Sequence, residues 1–341
     1  MPTFRSIPIQ AVSDSWNGIR STPLAGQAAS QLVKHCRGLS RWQRTGSLVA
    51  DVAVVTDSSG DLPGALVDSL DITVVSRYYD VGGGALRESE FDGDFGRFYA
   101  ALDASNSVAT TSAPPIEDFA VVFDRLLQQH SGVVAVLGSS HFSETCSMAR
   151  QAAARLESEG RGGERVVVID SAGAAGHLGV QALAAGRAAA AGEDASGVIA
   201  RTRQARQEVR QWVLLDTLEY LRRGGRIGSA AAWIGSALDL KPIVVIESEV
   251  KAVERVRTRR RGVERLVELM RQRRAVGADR WFVQHAYAQE DAQMLVDRLG
   301  AVFDAPPEFV CEVGPVLATH VGPGALSAGG LPGAVFGGAH G

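Results

Sequence analysis

Three short apolar runs, each ending in small hydroxyl or acidic residues, constrain this chain more than any other feature. Val52–Val55 ends in Thr56-Asp57-Ser58-Ser59, Val133–Leu137 in Gly138-Ser139-Ser140, and Val166–Ile169 in Asp170-Ser171. Each run is strand-sized, and each is followed by a segment that reads as a helix start or a small-residue helix. Short buried strands alternating with helices form a parallel sheet covered on both faces. Ligands of such sheets bind beyond the carboxyl ends of the strands, where these Thr, Ser and Asp clusters fall.

The pattern changes further on. Residues 180–207 are Ala-rich and read as helical. Trp212–Leu215, Ile243–Ile246, Lys251–Val256 and Trp281–Gln284 then read as strands, with Ser248-Glu249 as a tight turn. Val263–Met270 and Asp291–Leu299 read as helices, and Val316–Thr319 as a last strand. At 341 residues the chain exceeds one typical domain. The expected division is an N-terminal parallel α/β (Rossmann-like) domain at 48–207 and a C-terminal α+β domain at 208–328 with a mostly antiparallel sheet. Residues 1–47, with Pro2, Pro8 and Pro23 and little periodicity, read as an extension with a disordered composition. The Gly-rich 329–341 reads as a frayed tail.

Composition excludes several classes. A net charge of -3 with 21% charged residues gives no global signal for nucleic acid. Cys36, Cys146 and Cys311 lie far apart with no CxxC pair, so neither a zinc site nor a disulfide framework is expected. A reduced, cytoplasmic setting fits. No apolar run approaches the ~20 residues of a membrane span, and the first residues lack the apolar core of a secretory signal.

Four constellations carry chemistry. Thr110-Thr111-Ser112-Ala113-Pro114-Pro115 reads as a capped helix start, or as an anion site using the Thr111 and Ser112 hydroxyls. Gly138-Ser139-Ser140-His141-Phe142-Ser143 follows a buried strand and opens a helix, with Ser143 as a plausible cap. Its serines suit a carboxylate contact; a nucleophile is the rival idea, although GxSxG spacing is absent. His320 ends the expected strand at 316–319 before Gly322-Pro323-Gly324 and is the most functional-looking of the seven histidines. No partner ligand lies near it at a metal-binding spacing, so no metal is expected. Leu218–Gly228 reads as a short helix closed by Gly224-Gly225, leaving Arg226 on a loop. A basic run, Arg255, Arg257, Arg259, Arg260 and Arg261, reads as a solvated face or a docking surface.

Separately these signals are weak; in order they are specific. Val54-Val55-Thr56-Asp57-Ser58-Ser59-Gly60-Asp61-Leu62-Pro63, Thr111-Ser112-Ala113-Pro114, Ser139-Ser140-x-x-Ser143, Asp170-Ser171, Leu218–Gly228 and Gly314–Gly324 together resemble the DegV family, from about Val49 to Leu326. The resemblance implies a non-catalytic carrier: the fatty-acid-binding subunit of a bacterial fatty acid kinase. Such a subunit presents the carboxylate of a long-chain fatty acid to a separate ATP-binding kinase subunit, which makes the acyl phosphate. The resemblance implies that Thr111 and Ser112, with Ser139, Ser140 and His320, hold the carboxylate. It implies that Asp57, Ser58 and Ser59 line the same cleft. Arg226, with Arg257 or Arg259, would meet the kinase. Ala113 stands where the family usually has Gln, and Glu144 where it usually has Gly. Ala175 and His177 replace a usual Ser and Gly.

A buried carboxylate needs partners, because left unpaired it costs several kcal/mol. Hydroxyls, loop N–H groups and one histidine supply them here without a buried cation. No GxxxxGK[ST] sequence is present, so phosphoryl transfer is expected from the partner. No cofactor beyond the bound acid is expected, and transient membrane contact fits a lipid carrier. Three rivals remain at this point: a hydrolase or acyltransferase using Ser140 with His320, a lipid-binding adaptor without a kinase, and a phosphosugar or nucleotide binder.

Overall fold

The computed structural model describes residues 51–104, 109–233 and 240–337. The expected extension at 1–47, Cys36 with it, and the last four residues lie outside the described residues.

The three opening runs form strands β1 (Val52–Asp57), β6 (Gly132–Leu137) and β7 (Val166–Asp170). With β2 (Ile72–Val75) they make a parallel sheet in the order β2-β1-β6-β7. Every residue of β1 and β6 is buried, as two covered faces require. Ala53, Val55, Val133, Ala135 and Leu137 point to one side, against Phe119 and Phe123 of α3 (Ile116–Leu127) and Ala149 and Leu156 of α4 (Thr145–Ser158). The alternate residues face α5 (Gly176–Ala190) and α6 (Ala195–Glu208). The Ala-rich helical stretch is divided into these two helices. Gly192 at φ +79° makes the turn, and the Asp194 carboxylate accepts from Gly197 N–H at 2.9 Å to start the second helix.

A six-stranded sheet follows. Its strands are β8 (Arg210–Leu214), β9 (Lys241–Ile246), β10 (Val250–Val256), β11 (Arg280–His285), β12 (Val310–Glu312) and β13 (Leu326–Leu331). The order is β10-β9-β8-β13-β11-β12, antiparallel except for β11 with β12. Leu214, Ile243, Trp281 and Val283 face α8 (Arg259–Ala275) and α9 (Gln289–Phe303), where Leu266, Met270, Leu295 and Leu299 complete a core. Thr258 caps α8 by accepting from Arg261 N–H at 3.2 Å. Strand alternation sends Val213 and Val244, a directly paired couple, to the opposite face.

A small antiparallel sheet, β4-β3-β5, joins β3 (Tyr78–Asp80), β4 (Leu86–Arg87) and β5 (Thr110–Ser112). Beside it run α2 (Phe95–Ala104) and the rings of Phe91, Phe98 and Tyr79. The short helices α1 (Gly64–Ser69), α7 (Glu219–Arg223) and α10 (Pro315–Val321) complete the set used below.

Two expectations are overturned. Val316–Thr319 is not a strand; it lies inside α10. Pro315 occupies the first helical position. The exposed N–H groups are satisfied from far along the chain: Glu88 Oε1 accepts from Val316 N–H at 2.7 Å and Asp61 Oδ1 from Gly314 N–H at 2.8 Å. Gly322 at φ +72° ends the helix. Nor does the tail begin at Gly329. Gly329, Gly330 and Leu331 are buried in β13, in the middle of the sheet. A Cβ at Gly329 would lie 2.7 Å from Cε1 of the fully buried Phe282 ring, and nearer still to its Cζ. Here glycine makes room for a ring.

Candidate functional site: an apolar cavity with a cationic end

The inward face of the six-stranded sheet, α10 and the loop before α5 border an apolar cavity that opens to solvent. Val213, Val250, Ala286, Val313, Leu317 and Ala325 supply apolar wall. Arg77, Arg226 and His320, with the ring of Phe142, bring charge and hydrogen-bonding groups to the same lining. Gln211 and Ser327 also border it but are bonded to each other at 3.1 Å.

His320 sits on the last turn of α10, not at a strand end. Its Nε2 lies 2.8 Å from Thr111 Oγ1 on β5. Burial pushes its pKa down to about 3, and the charges of Arg226 and Arg77 push the same way, so the ring is neutral at pH 7. Nδ1 is buried without a partner among the described residues. It lies against Gly224, where a Cβ would come 3.0 Å from Cε1 and closer to Nδ1, which explains the glycine there.

Arg226 lines the cavity. It is half-buried, and its guanidinium donates to Gly224 O at 2.6 Å and Phe142 O at 3.3 Å. Burial and the neighbouring Arg77 charge lower its pKa, although guanidinium keeps its proton in proteins. Arg77 was not singled out in the sequence. It is only 6% exposed, and its NH2 donates to Ser143 Oγ at 3.2 Å. A single arginine just after the apolar run Ile72–Val75 is the signal that could have found it.

Thr111 meets the cavity through His320 rather than as part of its lining, and the remaining expected residues do not reach the lining either. Strand alternation puts Ser112 on the opposite side of β5 from Thr111, exposed. Ser139 is buried in its own turn: its N–H donates to Gly173 O at 2.9 Å and its Oγ accepts from His141 N–H at 3.2 Å. Ser140 is exposed, and its Oγ donates to the Asp170 carboxylate at the end of β7. Asp57 is a staple between strand ends. It accepts from Ser59 N–H at 3.0 Å, from Ser59 Oγ, and from Gly138 N–H at 2.6 Å. Ser58 Oγ accepts from Arg77 N–H at 3.0 Å and so supports the site from behind. Arg259, partly exposed, clamps three segments together: it bonds Asp291 at 2.7 Å, Asp216 at 3.2 Å and Gly324 O. Arg257 is exposed.

Two consequences follow for chemistry. Ser140 and His320 engage different partners, Asp170 and Thr111, so no serine–histidine dyad is assembled. Glu144 stands exposed at the start of α4, outside the cavity lining, so its charge does not oppose an anion there. Among the described residues no three His, Cys, Asp or Glu side chains are placed to share a metal ion. Among those residues, too, no helix is long and apolar enough to cross a membrane.

A family model described as "Uncharacterised protein, DegV family" matches residues 51–332. A DegV domain-containing protein of Mycobacterium tuberculosis is 37% identical over 284 residues, 81% of this chain and 95% of its own. Protein DegV of Bacillus subtilis is 30% identical over 279 residues, 81% of this chain and 97% of its own. Among solved structures, a DegV family protein from Thermus thermophilus, described for its fatty acid binding, superposes with a TM-score of 0.73 at 29% identity, covering 83% of this chain and 99% of its own. DegV from Bacillus subtilis, described as a fatty acid binding protein, gives 0.72 at 28% identity with the same coverage. The match takes in the parallel sheet, the antiparallel-rich sheet and the helix bearing His320: this chain belongs to the DegV family.

Proposed function

We propose that this chain binds a long-chain fatty acid, with the acyl chain in the cavity and the carboxylate at the Thr111–His320 end. The observation that carries this is the cavity itself: an apolar wall bordered by two guanidiniums and a neutral histidine. A C16 chain gains ~0.8 kcal/mol per buried CH₂, roughly 12 kcal/mol gross, before the costs of association. The solved relatives described as fatty acid binding proteins support the same ligand class. His320, neutral, offers one nitrogen as donor and the other as acceptor, so it can pair with Thr111 and still take part in a hydrogen-bonded head-group site.

The finer reading is that the chain is a non-catalytic cytoplasmic carrier that hands the carboxylate to a separate ATP-binding kinase subunit for acyl phosphate formation. It rests on the sequence resemblance. Within it, exposed Arg257 and the partly exposed Arg226 and Arg259 are the candidate contacts for the kinase, with Arg226 also bordering the cavity and Arg259 held by Asp291 and Asp216. Transient membrane contact would load the acid.

Native mass spectrometry of the purified chain tests the first claim. The expected result is a co-purifying acyl species that is lost on delipidation and restored by palmitate. No acyl species across several preparations, and no uptake of palmitate, would sink it.

A further inference from the structure

The sequence led to a carboxylate held by hydroxyls and a histidine, with no buried cation. The structure puts a cation there. Arg77 follows β2 with its main chain held at both ends: its N–H donates to Ser58 Oγ at 3.0 Å, and its carbonyl accepts from Glu88 N–H at 2.9 Å. The residue is 6% exposed and lines the cavity with Arg226 and His320. One of its nitrogens is used, by Ser143 Oγ at 3.2 Å. Its Nε is buried with no partner among the described residues. No carboxylate among those residues lies within ion-pair distance of it, although most arginines of the fold have one.

A guanidinium cannot shed its proton. Buried and unpaired, it costs several kcal/mol, which the fold must recover from a counter-ion. The acids electrostatically nearest, Asp61 and Glu88, turn one oxygen each onto the N–H groups of α10 instead. Arg226 is half-exposed and already donates to two carbonyls. Arg77 is thus the cation of the cavity whose partner is missing from the protein.

We propose that Arg77 is the charge anchor of the ligand, forming a charge-assisted hydrogen bond with the fatty-acid carboxylate and selecting acids over neutral lipids of equal length. This rests on the fatty-acid reading above. Thr111 and His320 then orient the carboxylate, while Arg77 supplies its counter-charge.

The test uses the full chain, delipidated, titrated with palmitate and with 1-hexadecanol. Hydrogen bonds to charged groups contribute roughly 1.5–3 kcal/mol, so Arg77→Met should weaken palmitate about 10- to 150-fold. It should leave 1-hexadecanol within about threefold. Arg77→Lys, which keeps a point charge but loses the fork, should keep the acid preferred while weakening it less than Arg77→Met does. This milder variant also carries the test if Arg77→Met fails to fold. Unchanged palmitate affinity in the variant that folds overturns the proposal, and so does an equal loss for acid and alcohol. A wild-type chain that takes up neither lipid overturns the fatty-acid reading itself, and this proposal with it.

Discussion

Replacing Glu88 by glutamine removes an ionisable group from the base of the helix that carries His320. Glu88 and Asp61 hold α10 by accepting from Val316 N–H and Gly314 N–H at 2.7 and 2.8 Å. They are close together, since a Cβ at Gly314 would lie 2.5 Å from Glu88 Oε1 and 3.0 Å from Asp61 Oδ1. The second oxygens, Glu88 Oε2 and Asp61 Oδ2, are buried without partners among the described residues. Burial pushes the Glu88 carboxyl up from 4.5 to about 7, against the pull of Ser58, Val316 N–H and Arg77. Asp61 is raised well above the usual carboxylate range by burial and by Glu88. Between those two Glu88 values the folded chain holds a proton that the unfolded chain has released. The contribution to stability is therefore complete below pH 4.5 and is lost as pH rises through about 7. At 1.36 kcal/mol per tenfold change in proton affinity, this is on the order of 3 kcal/mol. Glutamine keeps the Oε1 acceptor, cannot ionise, and can donate its amide to Asp61. The variant should match wild type at pH 5 and exceed it by about 2–3 kcal/mol at pH 8, or about 5 °C in Tm. Thermal melts from pH 5 to pH 8.5 measure this. A variant that loses stability with the wild-type slope, or is the less stable protein at pH 8, would refute the raised proton affinity of Glu88 at this helix base.

Two further outcomes follow from the packing. Gly329→Ala should destabilise the chain by about 1–3 kcal/mol, because the new methyl overlaps the Phe282 ring, which is fixed by stacking on Phe309 at a centroid distance of 5.1 Å; a denaturant midpoint equal to wild type would show that the ring can move aside. Ser140→Ala should leave palmitate affinity within about threefold, because Ser140 spends its hydroxyl on Asp170 and does not line the cavity; a tenfold loss by titration would return Ser140 to the carboxylate site.

The parallel sheet was legible because its strands carry their own signal. Val52–Asp57 and Gly132–Leu137 are unbroken apolar runs with polar ends, and both faces of each are buried. Apolar runs of four to seven residues lose that clarity when their partners lie far away. Val316–Thr319 reads as a strand, yet the carboxylates of Asp61 and Glu88, more than 220 residues earlier, make it a helix. Gly329 and Gly330 look like a frayed tail until the Phe282 ring is in place. The site shows the same limit. Thr111 and His320 were both visible, because each interrupts an apolar or proline-rich segment, and they meet at 2.8 Å. Ser139, Ser140 and Asp57 were equally visible, but the polar groups at strand ends first satisfy one another. Arg77 left only a faint mark, a lone arginine just after an apolar run, which reads as surface until its burial is known.

The grip is therefore assembled from chain segments that have no local reason to cooperate. The Asp61–Glu88 pair fixes where α10 begins, and Gly322 fixes where it ends. That length places His320 on the last turn, opposite Thr111 on β5. The main chain of Arg77 bonds to Ser58 and Glu88, so the same carboxyl-bearing segment that starts the helix also holds the cation. Loss of the Glu88 proton and loss of the Arg77 counter-ion are thus linked through one strand junction. A carboxylate paired with Arg77 would weaken the pull of that guanidinium on Glu88, whose carboxyl is only partly ionised at neutral pH. Binding the acid should raise the proton affinity of Glu88 further, and proton uptake on binding between pH 7 and 8, absent in Glu88→Gln, would be its calorimetric signature.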